Sequence, residues 1–187
     1  EVYLTGEGSF KASVPVKDDT AFIQLPVAKT YHISLPDYTI KNNSFNTENA
    51  GSGLFYFVLY FTAPKKAELI LVKENEAVAF ITYKNLADQP VSNDTVIVTS
   101  KSTGRNYPMQ TALNGSGLLI LPKNNRYSIS LKSFKDFATI DLAGSSDALV
   151  VNNIELKYPG TREIEREKRK LERMIAERDS LYRLTEK

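Results

Sequence analysis

One phrase occurs twice in this chain, and it constrains the fold more than any other feature. Residues 20–35 read TAFIQLPVAKTYHISL and residues 116–131 read SGLLILPKNNRYSISL, an offset of 96 with no gap. Leu25, Pro26, Tyr31, Ile33, Ser34 and Leu35 recur as Leu121, Pro122, Tyr127, Ile129, Ser130 and Leu131. Six identities in sixteen positions stand against roughly one from average composition. A period of this size marks a duplicated domain, because solenoid units repeat every ~20–50 residues. The repeat predicts two domains in 187 residues, each of about 70–90 residues, enough for a modest core. Each copy is also a control for the other.

Strand chemistry dominates. Short runs of Val, Ile, Thr, Tyr and Phe alternate with polar residues and are cut by Gly, Pro, Asn and Asp. In the second copy the expected strands are 77–83, 94–100, 106–111, 117–121, 126–132 and 149–157. Asn114-Gly115 reads as a hairpin turn in which both residues tolerate positive φ, and Pro122 ends a strand because it cannot donate to a ladder. Lys17-Asp18-Asp19 and Leu25-Pro26 hold the matching places in the first copy. Many short strands with regular turns predict a β-sandwich. In the first copy EVYLT (1–5) already matches TVIVT (95–99), so this copy is expected to lack its opening strand, which lies upstream in a longer protein or comes from another chain. A sheet edge left open in this way invites strand addition.

The tail changes character. Residues 161–187 contain no Gly or Pro, nine Lys/Arg and seven Asp/Glu. Thr161, after Pro159-Gly160, reads as a helix N-cap, with Glu163 and Glu165 in the first turn. Glu165–Arg169 and Asp179–Arg183 have the i,i+4 spacing of favourable pairs. Ile164, Leu171, Met174/Ile175, Leu181 and Leu184 form an apolar stripe that Lys168 and Arg178 interrupt. A solvated, charge-laced helix and a coiled-coil or docking helix both fit this pattern.

YKNLADQPVSNDTVIV (83–98) followed by TALNGSGLLILP (111–122) resembles the carboxypeptidase regulatory-like, or prealbumin-like, β-sandwich module found in tandem in bacterial surface and periplasmic proteins. The resemblance covers 77–157 and part of 1–64. It departs at Gln89, where the family has Gly before the Pro, and the first copy lacks that loop. YPGTREIER (158–166) also resembles linkers in bacterial surface proteins that carry a von Willebrand A-type domain. The expected fold is therefore all-β: two tandem Ig-like/prealbumin-like β-sandwich domains, 1–66 and 67–160, followed by a C-terminal charged α-helix, 161–187. The resemblance implies non-catalytic work in a bacterial extracytoplasmic protein, periplasmic or at the cell surface. The implied partners are another protein or neighbouring domains of the same parent chain, with carbohydrate as the second candidate. Weak self-association through the helix is a further contact of this kind.

Composition narrows the chemistry. The absence of Cys excludes disulfides, thiolate metal sites and cysteine nucleophiles. No apolar run approaches the ~18 residues of a membrane helix, and a net charge of +2 predicts no strong attraction to nucleic acid or anionic membrane. No signal peptide is visible and the chain does not start with Met, as expected of a mature form or an excised piece. His32 is the only histidine, so a Ser-His-Asp triad or a two-His metal site is not expected. Its counterpart is Ser128, and a position that takes either is expected to face solvent. Asp18 and Asp19 read as a plain turn, opposite Asn114-Gly115, rather than half of a Ca²⁺ site. Asp136, Asp141 and Asp147 have no paired spacing. No phosphate-loop, nucleophile-elbow or zinc-helix motif occurs. No cofactor, metal or catalytic residue is expected. Lys84 with Asn152 or Asn153 could close an internal amide only with an acid beside them, and none is clearly placed.

The copies differ most at their last strands. VVNNIELKY (150–158) alternates Ile154 and Leu156 with Asn153 and Glu155, whereas LFYFVLYF (54–61) is apolar throughout. Aligning Pro64 with Pro159 points Leu59 and Phe61 inward and leaves Tyr56, Val58 and Tyr60 on the outer face. Such a face is seldom left in water, and Tyr is a favoured contact residue. Tyr56, Val58 and Tyr60 are the candidate partner-contact face, or a sugar-stacking face if the ligand is carbohydrate. Ile164, Leu171, Ile175 and Leu181 are the candidate contact stripe of the helix.

Overall fold

The computed structural model describes residues 1–27, 29–48, 55–132, 134–145 and 149–185, with side chains up to residue 181. The chain divides into two compact units, Glu1–Ala77 and Val78–Lys187. Both are built from β-strands in two sheets, and a single long helix, α1 (Thr161–Thr185), closes the chain.

Unit 1 contains β1 (Val2–Gly6), β2 (Phe10–Val14), β3 (Thr30–Ser34), β4 (Thr39–Lys41), β5 (Ser44–Asn46), β6 (Tyr56–Ala63) and β7 (Lys66–Val72). They form a four-stranded sheet, β2-β1-β3-β5, and a three-stranded sheet, β4-β7-β6. Alternation sends Leu4, Val14, Ile33 and Leu69 into a common core, with Phe45, Phe57 and Leu59 packed against it. An aromatic chain crosses that core. Phe10 meets Tyr31 edge-on at 5.3 Å, Tyr31 stacks on Phe45 at 5.6 Å, and Phe45 meets Phe57 at 4.4 Å.

Unit 2 contains β8 (Glu76–Lys84), β9 (Thr95–Ser100), β10 (Asn106–Gln110), β11 (Ser116–Pro122), β12 (Arg126–Leu131), β13 (Phe134–Asp141) and β14 (Val151–Lys157). Its sheets are β10-β9-β12-β13 and β11-β8-β14, with β14 parallel to β8 in a register that sets Ile154 beside Ile81 and Leu156 beside Tyr83. Val96, Val98, Leu121, Tyr127 and Ile129 have no exposed surface. β13 falls where no strand was expected. Asp136, at φ 50°, and a register shift between Ile129 and Leu131 break the period-2 pattern there.

The expected boundary between 66 and 67 moves to Ala77/Val78. β7 cannot leave unit 1, because it pairs with β6 from Ala63–Lys66 through Tyr56–Val72 and delivers Leu69 to the first core. The three-stranded sheets of the two units are centred on different strands. In unit 2 the middle of the three-stranded sheet is β8, at the front of the unit. In unit 1 the middle is β7, at the back, antiparallel to β6 and parallel to β4. β7 thus holds in unit 1 the middle position that β8 holds in unit 2, with the opposite direction relative to its neighbour β6. The first copy's counterpart of β11 is not a strand, apart from a bridge between Lys17 and Thr20.

The doubled phrase has one physical cause in both units. The Tyr31 hydroxyl donates to the Pro26 carbonyl at 2.8 Å, and the Tyr127 hydroxyl donates to the Pro122 carbonyl at 2.7 Å. Both tyrosines are fully buried, and burial pushes the Tyr127 phenol pKa up, which keeps it a donor. Tyr31→Phe and Tyr127→Phe should each cost about 1–1.5 kcal/mol, the net worth of a hydrogen bond made by a buried hydroxyl. Denaturant titration of each variant should place the loss in the unit that carries the change. Unaltered midpoints in both variants would contradict this assignment.

Candidate functional site

The most structured polar site is the joint between unit 2 and α1. A helix begins with backbone N–H groups that have no partner within the helix, and a side chain at the N-cap usually accepts from them. The Ile164 N–H donates to the Gly160 carbonyl at 3.1 Å, so Gly160 is the N-cap and Thr161 the first helical residue. The expected N-cap at Thr161 shifts by one, and glycine has no side chain to cap with. Asp94 substitutes from 67 residues away. Its Oδ2 accepts the Thr161 N–H at 2.7 Å and its Oδ1 accepts the Thr161 hydroxyl at 2.7 Å. Glycine is required at 160, because a Cβ there would lie 2.7 Å from Val91.

Glu163 completes the clamp. Its Oε2 accepts the Gly160 N–H at 3.0 Å, the returning half of a capping box. Its Oε1 accepts from Asn85 Nδ2 at 2.7 Å. Asn85 Oδ1 in turn accepts the N–H groups of Ala87 and Gln89, at 3.0 and 2.9 Å, which shapes the Pro90 loop. Gln89 donates nothing that a glycine could not, but its Oε1 also accepts from Asn85 at 3.2 Å. The Tyr83 hydroxyl donates to the Pro159 carbonyl at 2.9 Å. Thr111 ties the loop down, donating to the Val91 carbonyl at 2.7 Å and accepting the Asp94 N–H at 3.0 Å. Asn85, Asp94, Thr111 and Tyr83 are all buried. Among the described residues, no buried side-chain polar atom lacks a partner. Two carboxylates at a helix N-terminus also complement the positive end of its dipole. Burial, followed by the charges of Asp94 and Glu163, pushes the Tyr83 phenol up to about 12.

Beyond this joint α1 is exposed. Ile164 is half-buried, whereas Leu171, Met174, Ile175 and Leu181 are 42–63% exposed. Asp179 pairs with Arg178 at 3.2 Å. The side chains of Leu184 and Arg183 lie outside the described ones.

Tyr56, Val58 and Tyr60 lie on the face of β6 opposite Phe57 and Leu59, which pack on the core. All three are half-buried. Across the strand pair they face Val72, Ile70 and Glu68, and Glu68 is bridged by Lys41 at 3.1 Å. Phe61, expected inward, is 49% exposed and meets Tyr38 edge-on at 5.3 Å. It stays in register opposite the buried Ala67, at the end of the ladder where the pairing shifts before Ala63.

The other singled-out residues stay apart. His32 is exposed, but Ser128 is buried, contrary to the shared solvent-facing position expected of them. Ser128 sits between Thr99 and Thr139 on two long neighbours, whereas His32 lies beside the three-residue β5. Asp18 and Asp19 form a two-residue turn at φ 49° and 58°, closed by paired Lys17–Thr20 bonds of 2.9 Å. At the matching turn only Gly115 has positive φ, 73°. The Gly115 N–H donates to the Ala112 carbonyl, giving a three-residue loop rather than the expected two-residue one. Asp141 pairs with Arg126, Asp136 sits at the β13 irregularity, and Asp147 lies outside the described residues. Lys84 Nζ bonds Glu155 at 2.7 Å, and this raises its pKa. In the parallel register Asn152 and Asn153 sit beside Ala79 and Phe80, well short of Lys84. Among the described residues no helix is long and apolar enough to cross a membrane, and no three His, Asp or Glu side chains cluster as metal ligands.

Sequence reasoning missed Asp94 and Asn85. Both flank the Pro90 loop and read as turn residues. The available signal was Gly160 itself, a helix start with a glycine cap and Glu163 three residues on.

No family model matches the chain, and no curated protein sequence matches it. Among solved structures it is similar to the Bacillus anthracis TIE protein, with 13% identity over 86% of this chain and a TM-score of 0.34. The chain spans 30% of the length of that protein chain. It is also similar to C-terminal fragments of the pilus adhesin SpaC from Lactobacillus rhamnosus GG. There the identity is 8%, over 84–85% of this chain and 88% of theirs, with TM-scores of 0.34 and 0.33. These likenesses are distant and bear on neither chemistry nor partners.

Asp94→Ala should destabilise unit 2 by about 2 kcal/mol through loss of charge-assisted bonds to Thr161, and it should speed amide exchange in the first turn of α1. Wild-type exchange there would exclude the capping role. The phenol of Tyr83 has a folded pKa of about 12 against an ordinary value of 10.0. Its stabilising contribution is therefore complete below pH ~10 and is lost as pH rises through ~12. Stability measured over that window should fall less steeply in Tyr83→Phe than in the parent, and equal slopes would refute the burial.

Proposed function

We propose that this chain is a non-catalytic structural and binding module of a larger bacterial extracytoplasmic protein, in which paired β-sandwiches carry a helical arm and space or dock neighbouring parts. The observation that carries this reading is the joint. Asp94, Asn85, Glu163 and Thr161 spend their polar groups on one another and on the start of α1, while the rest of the helix stands exposed. A constellation whose polar atoms are all satisfied internally serves rigidity; a reaction centre keeps groups available to a substrate. The carboxypeptidase regulatory-like pattern at 83–98 and 111–122 supports the extracytoplasmic setting. It also fits Asn85, whose side chain organises the loop that delivers Asp94.

A carbohydrate-binding accessory module is the second reading, favoured by Tyr56 and Tyr60 on the same outer face of β6, with Val58 between them. The half-burial of both rings supports protein packing over sugar stacking, since a stacking platform presents an open ring face. Under the docking reading, Tyr56→Ser/Tyr60→Ser should lower the unfolding midpoint of unit 1 or abolish contact with a neighbouring domain. The expected cost is about 1–3 kcal/mol for the lost apolar contact. Glycan-array retention that disappears in this variant with the midpoint unchanged would establish the carbohydrate reading instead.

A further inference from the structure

The bands of charge along α1 identify the kind of partner its stripe accepts. With 3.6 residues per turn, the seam runs Ile164, Lys168, Leu171, Ile175, Arg178, in alternating steps of four and three. That is the two-column pattern of a helix–helix contact. Glu165, Glu172 and Asp179 recur every seven residues along one border. Glu163 and Glu167 begin the other border, where Met174 and Leu181 then widen the stripe. Arg162, Arg166, Arg169, Lys170 and Arg173 gather on the opposite face, with Glu177 as the one acid among them, and none of the five cations has an ion-pair partner among the described residues. A tail that is nearly balanced in sequence is thus largely segregated in space, Glu177 excepted. Its apolar seam holds two cations and is edged by acids.

This pattern disfavours a second copy. In a parallel pair, Lys168 and Arg178 would each meet themselves in the seam, and Glu167 would face Glu172. In an antiparallel pair that sets Leu171 against Ile175, Lys168 would oppose Arg178, Glu172 would oppose its own copy, and Glu165 would oppose Asp179. Like charges meet in both arrangements, and such contacts discriminate strongly between partners. We infer that the α1 stripe docks a helix of different sequence, with Lys or Arg along its borders and a carboxylate opposite each of Lys168 and Arg178. The inference rests on the docking reading of the module and specifies its partner. The basic face then stays in solvent, and the clamp at Asp94 holds the seam in a fixed direction.

The probes are two synthetic helical peptides of 25 residues with the same Leu/Ile seam. One has basic borders and two seam glutamates at the matching layers; the other has acidic borders and two seam lysines. Calorimetric titration of the full chain should show the first peptide binding at least tenfold more tightly, with affinity falling as salt is raised. The chain alone should sediment as a monomer at 100 µM. Glu165→Lys/Glu172→Lys/Asp179→Lys should reverse the peptide preference while leaving helix content by circular dichroism unchanged, and Leu171→Ser/Ile175→Ser should abolish binding of both. Equal affinity for the two peptides would overturn the charge rule and leave the docking reading standing. Failure of both to bind would overturn the two together. A dimer of the chain that outcompetes the basic-bordered peptide would show a second copy to be the occupant.

Discussion

A buried tyrosine hydroxyl bonded to the carbonyl of the proline five residues earlier is the contact around which each sandwich is organised. In both units the proline ends the stretch before the turn, and the tyrosine sits early in the strand after it. The bond fixes the path of the chain as it enters the strand, β3 in unit 1 and β12 in unit 2, where in unit 2 the chain crosses from one sheet to the other. In unit 1 the tyrosine ring is the middle of an aromatic chain reaching Phe57 on the opposite sheet. In unit 2 it meets Tyr107 edge-on at 5.9 Å. A buried tyrosine hydroxyl left without an acceptor would be costly, so Leu-Pro and Tyr travel together in the sequence.

The units then diverge in how they complete the three-stranded sheet. Unit 2 uses its first strand, parallel to its last; unit 1 uses its last, in a hairpin with the strand before it. Both solutions bury the same side of the sandwich. The consequence for unit 1 is an outer face on β6 that is apolar at Tyr56, Val58 and Tyr60, where β14 is polar at Asn153 and Glu155.

The helix joint works on a different principle. Isolated helices are marginal in water, and α1 has little of its apolar stripe buried. What holds its start is a set of charge-assisted bonds contributed by a loop distant in sequence. That loop is held by Asn85, Thr111 and the Tyr83 carbonyl, which accepts the Val91 N–H at 2.9 Å. The clamp therefore transmits the rigidity of the sandwich to the helix, and a change in the Pro90 loop would be felt at the helix start. The Pro90 loop, the clamp and the start of α1 are thus joined by hydrogen bonds within unit 2.

Local chemistry made much of this legible. Strand alternation, turn residues and the duplicated phrase specify β-sandwich units, and the charged, Gly- and Pro-free tail specifies the helix, because each depends on residues near one another in the chain. Period 2 puts Tyr56, Val58 and Tyr60 on one face of their strand, and only the alignment of Pro64 with Pro159 made that face the outer one. What depended on non-local pairing was not legible. The partner of KAELILV could not be told from its pattern, which suits the first unit and the second equally well, and only the β6–β7 register assigns it. Ser128 looked like His32 until the length of its neighbours buried it. Asp94 carried no local mark of its role, since a carboxylate becomes a helix cap only when the fold brings a cap-less helix start within 3 Å of it. Sequence by itself determined the elements and the faces they must bury. Tertiary structure decided which strand completes each sheet and which carboxylate holds the helix, because both are contacts between residues that no periodicity links.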